Sequence, residues 1–152
     1  MSEVSPVSLN SQVPVKRVSC ASVPDLSHAT WSNALVVGQE VVMSGQTAHP
    51  ASRDAAQAGQ PLGAYDQAMV VLRKIQSLLE AAGGATHNIT KLVVYLTDIA
   101  DKDEVGRARR DFFGQAPWPA STLVAVQALV FPELRVEIDA FARLDVDLRQ
   151  AA

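Results

Sequence analysis

The sequence predicts an α+β fold in which two helices pack on one face of a single mixed sheet. Short Val-rich runs flank two amphipathic segments, and Gly or Pro marks most changes of pattern. At 152 residues, with 48% hydrophobic side chains, the chain has the size and composition of one compact domain. The expected division is an N-terminal arm over 1–14, a domain over 15–145 and a tail over 146–152.

Residues Met1 to Pro14 hold Ser, Val, Pro and Asn without a sustained period, so a flexible arm is expected there. VKRVSC, from Val15, predicts a first strand, and ASVPDLSHATWSN a turn-rich surface segment carrying Trp31. ALVVGQEVVMSG predicts a hairpin, because Gly38 supplies the positive φ that a tight primed turn requires. Thr47 to Gly63 reads as a long loop, either functional or an inert insertion.

From Ala64 to Ala82, residues Ala68, Val71, Leu72, Ile75, Leu78, Leu79 and Ala82 form one stripe of a helix. Gly83 and Gly84 end it, since glycine takes the left-handed cap conformation without penalty. KLVVYLTDI predicts the next strand. Asp101 then opens a second helix, paired with Glu104 as a capping box, with Val105, Ala108, Phe112 and Phe113 facing inward. After Gly114, Pro117 and Pro119, the runs Ser121–Leu129 and Leu134–Ala142 predict a closing hairpin pair.

LVV, VVM, LVVYL and TLVAV are near-continuous apolar runs, which implies strands covered on both faces. Two helices cover only one. A homo-oligomer is therefore expected, with ligand clefts where subunits meet.

Composition narrows the function. A formal net charge of −3 argues against nucleic-acid binding, which rests on clustered Lys and Arg. Cys20 is the single cysteine, so neither an intrachain disulfide nor a Cys-rich zinc site can form. His28, His49 and His87 lack two-ligand spacing, and no metal is expected. No Gly-rich phosphate loop is present, so no nucleotide cofactor is expected either. MSEVSPVSLN has no apolar leader core, and no run approaches the roughly 18 residues of a spanning helix. A soluble, cytoplasmic protein without a membrane partner follows as the expectation.

Glu137 is the principal candidate. In VEIDAFA, Val136, Ile138, Ala140 and Ala142 share one face, whereas Arg135, Glu137, Asp139, Phe141 and Arg143 share the other. A partly desolvated carboxylate there has a raised pKa and can exchange protons near neutrality. The competing reading is a structural ion pair, with Arg135 or with a neighbouring subunit. Ser44-Gly45 ends a strand, where a hydroxyl and free N–H groups can meet a ligand; the competing reading is a plain turn. Arg107 lies three to four residues from Asp103 and Glu104, which predicts salt-paired helix surface.

These motifs together resemble the YjgF/RidA (reactive intermediate deaminase) family: MSGQ, AAGG, VVYLTDI, the Phe-Phe before a Pro-rich turn, STLV and VEIDAFA occur in its order over about 15–144. The resemblance implies a chorismate-mutase-like subunit, a homotrimer with three clefts at subunit interfaces, and cofactor-free hydrolysis of enamines and imines such as 2-aminoacrylate. In that family an arginine holds the substrate carboxylate and a glutamate positions water. The resemblance puts the glutamate on Glu137 and the cleft Ser-Gly on Ser44 and Gly45. It puts the arginine on Ala120, an aromatic-hydroxyl position on Trp31 and a helix asparagine on Gly106.

A bidentate arginine–carboxylate contact in a partly desolvated site is worth on the order of 2 to 5 kcal/mol, so its loss at Ala120 weakens binding roughly 30-fold or more. Either another cation replaces it, with Arg135 nearest in sequence, or the ligand is not a small 2-imino acid. Trp31 adds flat apolar surface suited to a bulkier ligand. Two functions follow as expectations: a hydrolase for an imine or enamine other than 2-aminoacrylate, or a trimer that binds a small molecule or protein without turnover. The endoribonuclease label that the family has carried ranks third, because no basic stripe with interleaved aromatics exists.

Overall fold

A computed structural model of the chain describes residues 11–152. Most of the expected arm over 1–14 lies outside them. The strands are β1 (Val15–Val18), β2 (Ala34–Val37), β3 (Glu40–Met43), β4 (Gln46–Thr47), β5 (Ile89–Leu96), β6 (Ala120–Ala125) and β7 (Val136–Arg143); the helices are α1 (Ala51–Gln57), α2 (Ala64–Ala81) and α3 (Lys102–Phe113). One sheet runs β1-β2-β3-β7-β5-β6, and β4 also pairs with β7. The sheet is mixed because β5 and β6 are parallel, while the other pairs are antiparallel.

Local chemistry accounts for the ends of these elements. Gly38, at φ +61°, makes the turn between β2 and β3. Gly83, at φ +91°, follows α2, and the Gly84 N–H donates to the Leu79 carbonyl at 2.8 Å, which closes the last turn. On α2 the predicted stripe is the buried side: Ala68, Val71, Leu72, Ile75, Leu78 and Leu79 are all shielded from solvent. Val105 and Ala108 of α3 are buried as expected, with Phe112 and Phe113 packed partly against the same core.

Three expectations change. The 47–63 segment contains α1. The two closing strands are not a hairpin: β6 joins the edge of β5 in parallel, and β7 inserts between β3 and β5. Asp101 makes no side-chain cap on α3. Asp98 caps the preceding turn by accepting from the Ala100 N–H at 2.9 Å, and the Asp101 carboxylate turns to Arg135. The Glu104–Arg107 ion pair forms as predicted, at 2.8 Å.

β7 divides the molecule in two. Val136, Ile138, Ala140 and Ala142 are buried and join Leu92, Val94 and Leu96 of β5 under α2 and α3. The alternate residues point the other way, onto a face organised in rows by register. One row crosses the sheet through Leu35, Val42, Phe141, Lys91 and Ala120. Another runs Thr47, Glu137, Tyr95 and Val124. This second face carries apolar side chains in water, with Val42 and Phe141 each 47% exposed and Val124 41% exposed. Val42 and Phe141 are paired in the register, so these two exposed side chains stand next to each other.

Behind the site, Gln67 of α2 is 1% exposed and fully bonded: its amide donates to the Leu62 and Glu133 carbonyls, and its oxygen accepts from the Arg135 N–H. It fastens the approach to β7 onto the helix layer. Gln67→Leu keeps the volume but leaves three part-buried backbone groups without their partner, so urea unfolding is expected to show a loss of about 1–3 kcal/mol. A loss below about 0.5 kcal/mol would mean that these groups find other partners.

Candidate functional site

Glu137 sits on the open face of the central strand, half-buried, with Thr47 across β4 on one side and Tyr95 across β5 on the other. Asp139 is two residues along the same face. Its Oδ2 accepts a 2.9 Å hydrogen bond from the Tyr95 hydroxyl. Burial raises the Glu137 pKa, and the Asp139 charge raises it further. The bond to Asp139 pushes the Tyr95 phenol up as well, so it remains a donor at neutral pH.

Gly45 lies against this pair. A Cβ built there would collide with the Glu137 carboxylate and stand 2.8 Å from Asp139 Oδ1. The glycine is required by close approach, and it leaves the carboxylates open along the edge of β4.

The Ser44 hydroxyl donates to the Ser32 carbonyl at 2.6 Å, and the Ser44 N–H donates to the Asn33 carbonyl at 2.9 Å. With its proton committed, Ser44 offers a ligand only lone pairs. Its visible work is to clamp the segment carrying Trp31, which is 58% exposed beside the strand end. Lys74, from α2, fixes the other side of the site, since its ammonium donates to the Thr47 and His49 carbonyls at 2.9 and 2.5 Å. Burial lowers its pKa. The His49 ring stacks on Phe131 with centroids 4.3 Å apart, which ties the end of β4 to the loop before β7.

The structure thus brings Glu137 against Gly45, beside Ser44, whose hydroxyl holds the segment that follows Trp31, and it separates Ala120 from them. Arg135 donates from Nε and Nη2 to the two Asp101 oxygens at 3.0 and 2.9 Å. Arg135, the nearest candidate cation in sequence, has its guanidinium engaged by Asp101 at the start of α3. The structural ion pair between Glu137 and Arg135 is likewise absent. Ala120 is opposite Lys91, whereas Glu137 is opposite Tyr95, so the two lie four residues apart along β5 and on strands flanking it. That is about 13 Å along the strand and about 10 Å across it. One small ligand cannot touch both within a single chain.

Two concave sites of about 270 and 370 Å³ lie elsewhere, one lined by Thr86, His87 and Arg149 among others, the second by Ser22, Arg73 and Lys74 among others; neither includes Glu137. Among the described residues, no group of three or more His, Cys, Asp or Glu side chains could hold a metal. No described helix is long and apolar enough to cross a membrane.

Tyr95 and Asp139 were not singled out by sequence reasoning as site residues. The alternation of β7 placed Asp139 with Glu137, but the pairing of β7 with β5, which brings Tyr95 alongside, has no short-range signal.

One mixed sheet, helices on a single face and an open face with a strand-end carboxylate define a chorismate-mutase-like α+β subunit. The family model described as Endoribonuclease L-PSP matches residues 23–144, and the chain belongs to that YjgF/RidA family. The 2-iminobutanoate/2-iminopropanoate deaminase of Bos taurus is 34% identical over 128 residues, which covers 84% of this chain and 88% of the relative. The RutC family protein PH0854 of Pyrococcus horikoshii is 35% identical over 77 residues, covering 51% of this chain and 60% of its own length. The crystal structure of PA3499 from Pseudomonas aeruginosa, described as a protein of unknown function, superposes with a TM-score of 0.91 at 60% identity, covering 93% of this chain and all 100% of that one.

The raised Glu137 pKa has a stability consequence. A carboxyl with a folded pKa above its unfolded value of about 4.3 contributes stability below that value and loses it as pH rises through the folded pKa. Glu137→Gln is therefore expected to be more stable than wild type at neutral pH in thermal melts, with the gap closing as pH falls below about 4.3. A gap that widens toward acid would show that ionised Glu137 is stabilised by the fold.

Proposed function

We propose that the protein hydrolyses an imine or enamine other than 2-aminoacrylate, with Glu137 activating the attacking water. The observation that carries this reading is the half-buried Glu137 carboxylate, raised in pKa and approached by Gly45, which has no Cβ to block it. The oxygen of water bonds to the imine carbon while Glu137 takes a water proton. Glu137 passes that proton to the imine nitrogen, which gives a carbinolamine. The carbinolamine hydroxyl then loses its proton to Glu137, which delivers it to the nitrogen as the C–N bond breaks, so that ammonia leaves and the carbonyl forms. No electrons change hands, so no redox cofactor is required.

The activity in the bovine relative's name supports the reaction class, and the exposed Trp31 supports a substrate bulkier than 2-aminoacrylate. The open apolar face supports assembly, and we take the assembly to be a homotrimer whose clefts join the Glu137 end of one subunit to the Ala120 side of another. Domain limits of 15–145, with a short tail after them, accompany this proposal. The alternative is a trimer that binds a small molecule or partner protein in the same clefts without turnover; alanine at position 120, with Arg135 occupied by Asp101, favours it.

An oxidase-coupled panel of imines decides between them. Wild type is expected to accelerate the decay of at least one bulky imine, and Glu137→Ala to lower kcat by 10²-fold or more, on the order of what a positioned acid–base group contributes. Ala120→Arg is expected to gain activity on 2-aminoacrylate. No acceleration across the panel, or full activity of Glu137→Ala, would overturn the reading.

A further inference from the structure

We propose that Lys91 is the group that holds the anionic end of the substrate, and that it serves the Glu137 of another copy of the chain. This rests on the imine-hydrolase reading above and names its substrate class: imines that carry a carboxylate.

Charge pairing on the open face singles out the lysine. Arg17 is 3.3 Å from Asp25, Arg143 is 2.8 Å from Asp145, and Arg135 is held by Asp101 at 2.9 Å. Lys91 has no such partner among the described residues; its ammonium stands 6.0 Å from the centroid of the Phe141 ring. The side chain is exposed, and the residue opposite it on β6 is Ala120, which carries only a methyl group. An ammonium over an aromatic face, with no carboxylate to neutralise it and a small residue beside it, is free to bind an anion.

Geometry then requires a second copy. Phe141, over which the ammonium lies, is four residues along β7 from Glu137, or about 13 Å. In a 2-imino acid the carboxylate is bonded directly to the imine carbon. Lys91 and Glu137 of one chain therefore cannot both contact it, whereas the exposed face that carries both can bring them together between copies.

The test uses full-length protein and two imines of matched shape. An amino-acid oxidase acting on phenylalanine supplies 2-imino-3-phenylpropanoate, and an amine oxidase acting on phenethylamine supplies its uncharged counterpart. Lys91→Met is expected to raise KM for the anionic imine by on the order of 10- to 100-fold, with kcat little changed and the uncharged imine unaffected. Lys91→Arg should restore most of the loss. Mixing Lys91→Met with Glu137→Ala, after dissociation and reassembly, is expected to recover activity that neither variant has at low anionic substrate, because some interfaces regain both groups. If Lys91→Met handles both imines like wild type, or if mixing recovers nothing, the inference is overturned while the hydrolase reading stands. If wild type hydrolyses neither imine, titration with the oxo acid 3-phenylpyruvate tests Lys91 alone: weaker binding by Lys91→Met supports the anion site, and equal binding overturns it.

Discussion

The strand β7 is the constraint on which the rest of the structure depends. Hydrogen-bonded between β3 and β5, it must bury one set of alternate side chains under α2 and turn the other set outward. Val136, Ile138, Ala140 and Ala142 fill the core because Leu72, Ile75 and Leu79 of the helix need apolar partners. Glu137, Asp139 and Phe141 are left on the opposite face, where Phe141 is exposed and the two carboxylates are half-buried. The same alternation that stabilises the subunit thus presents a carboxylate pair amid exposed hydrophobic surface.

Electrostatics turn that position into a candidate for chemistry. Desolvation and the neighbouring Asp139 both oppose ionisation of Glu137, while Tyr95 gives Asp139 a donor of its own. A carboxyl in this state is a better base than a free glutamate. Around it, Ser44, Lys74 and Gln67 all spend their polar groups on backbone atoms of the segments that frame the site. They hold the frame and leave Glu137 as the group with capacity to spare.

Periodicity made much of this legible before any coordinates. The α2 stripe, the Gly38 turn and the two faces of β7 were all carried by local spacing. What escaped was long-range. The helix α1 was missed because ASRDAAQ has no apolar stripe, and β6 was assigned to the wrong neighbour because alternation marks a strand without saying which strand it joins. Arg135 illustrates the same limit at the site: in sequence it is two residues from Glu137, but Asp101, thirty-four residues away, takes its guanidinium. Lys91 stands beside Ala120 only through the parallel register of β5 and β6, which no local spacing encodes.

We propose that other copies of the chain complete the outward face of the sheet. Light scattering on the native protein at micromolar concentration measures this most directly. A particle about three times the 16.2 kDa subunit mass is expected, reduced toward one subunit by Phe141→Glu. A monomer at the same concentration, or a trimer indifferent to a charge at position 141, would contradict it.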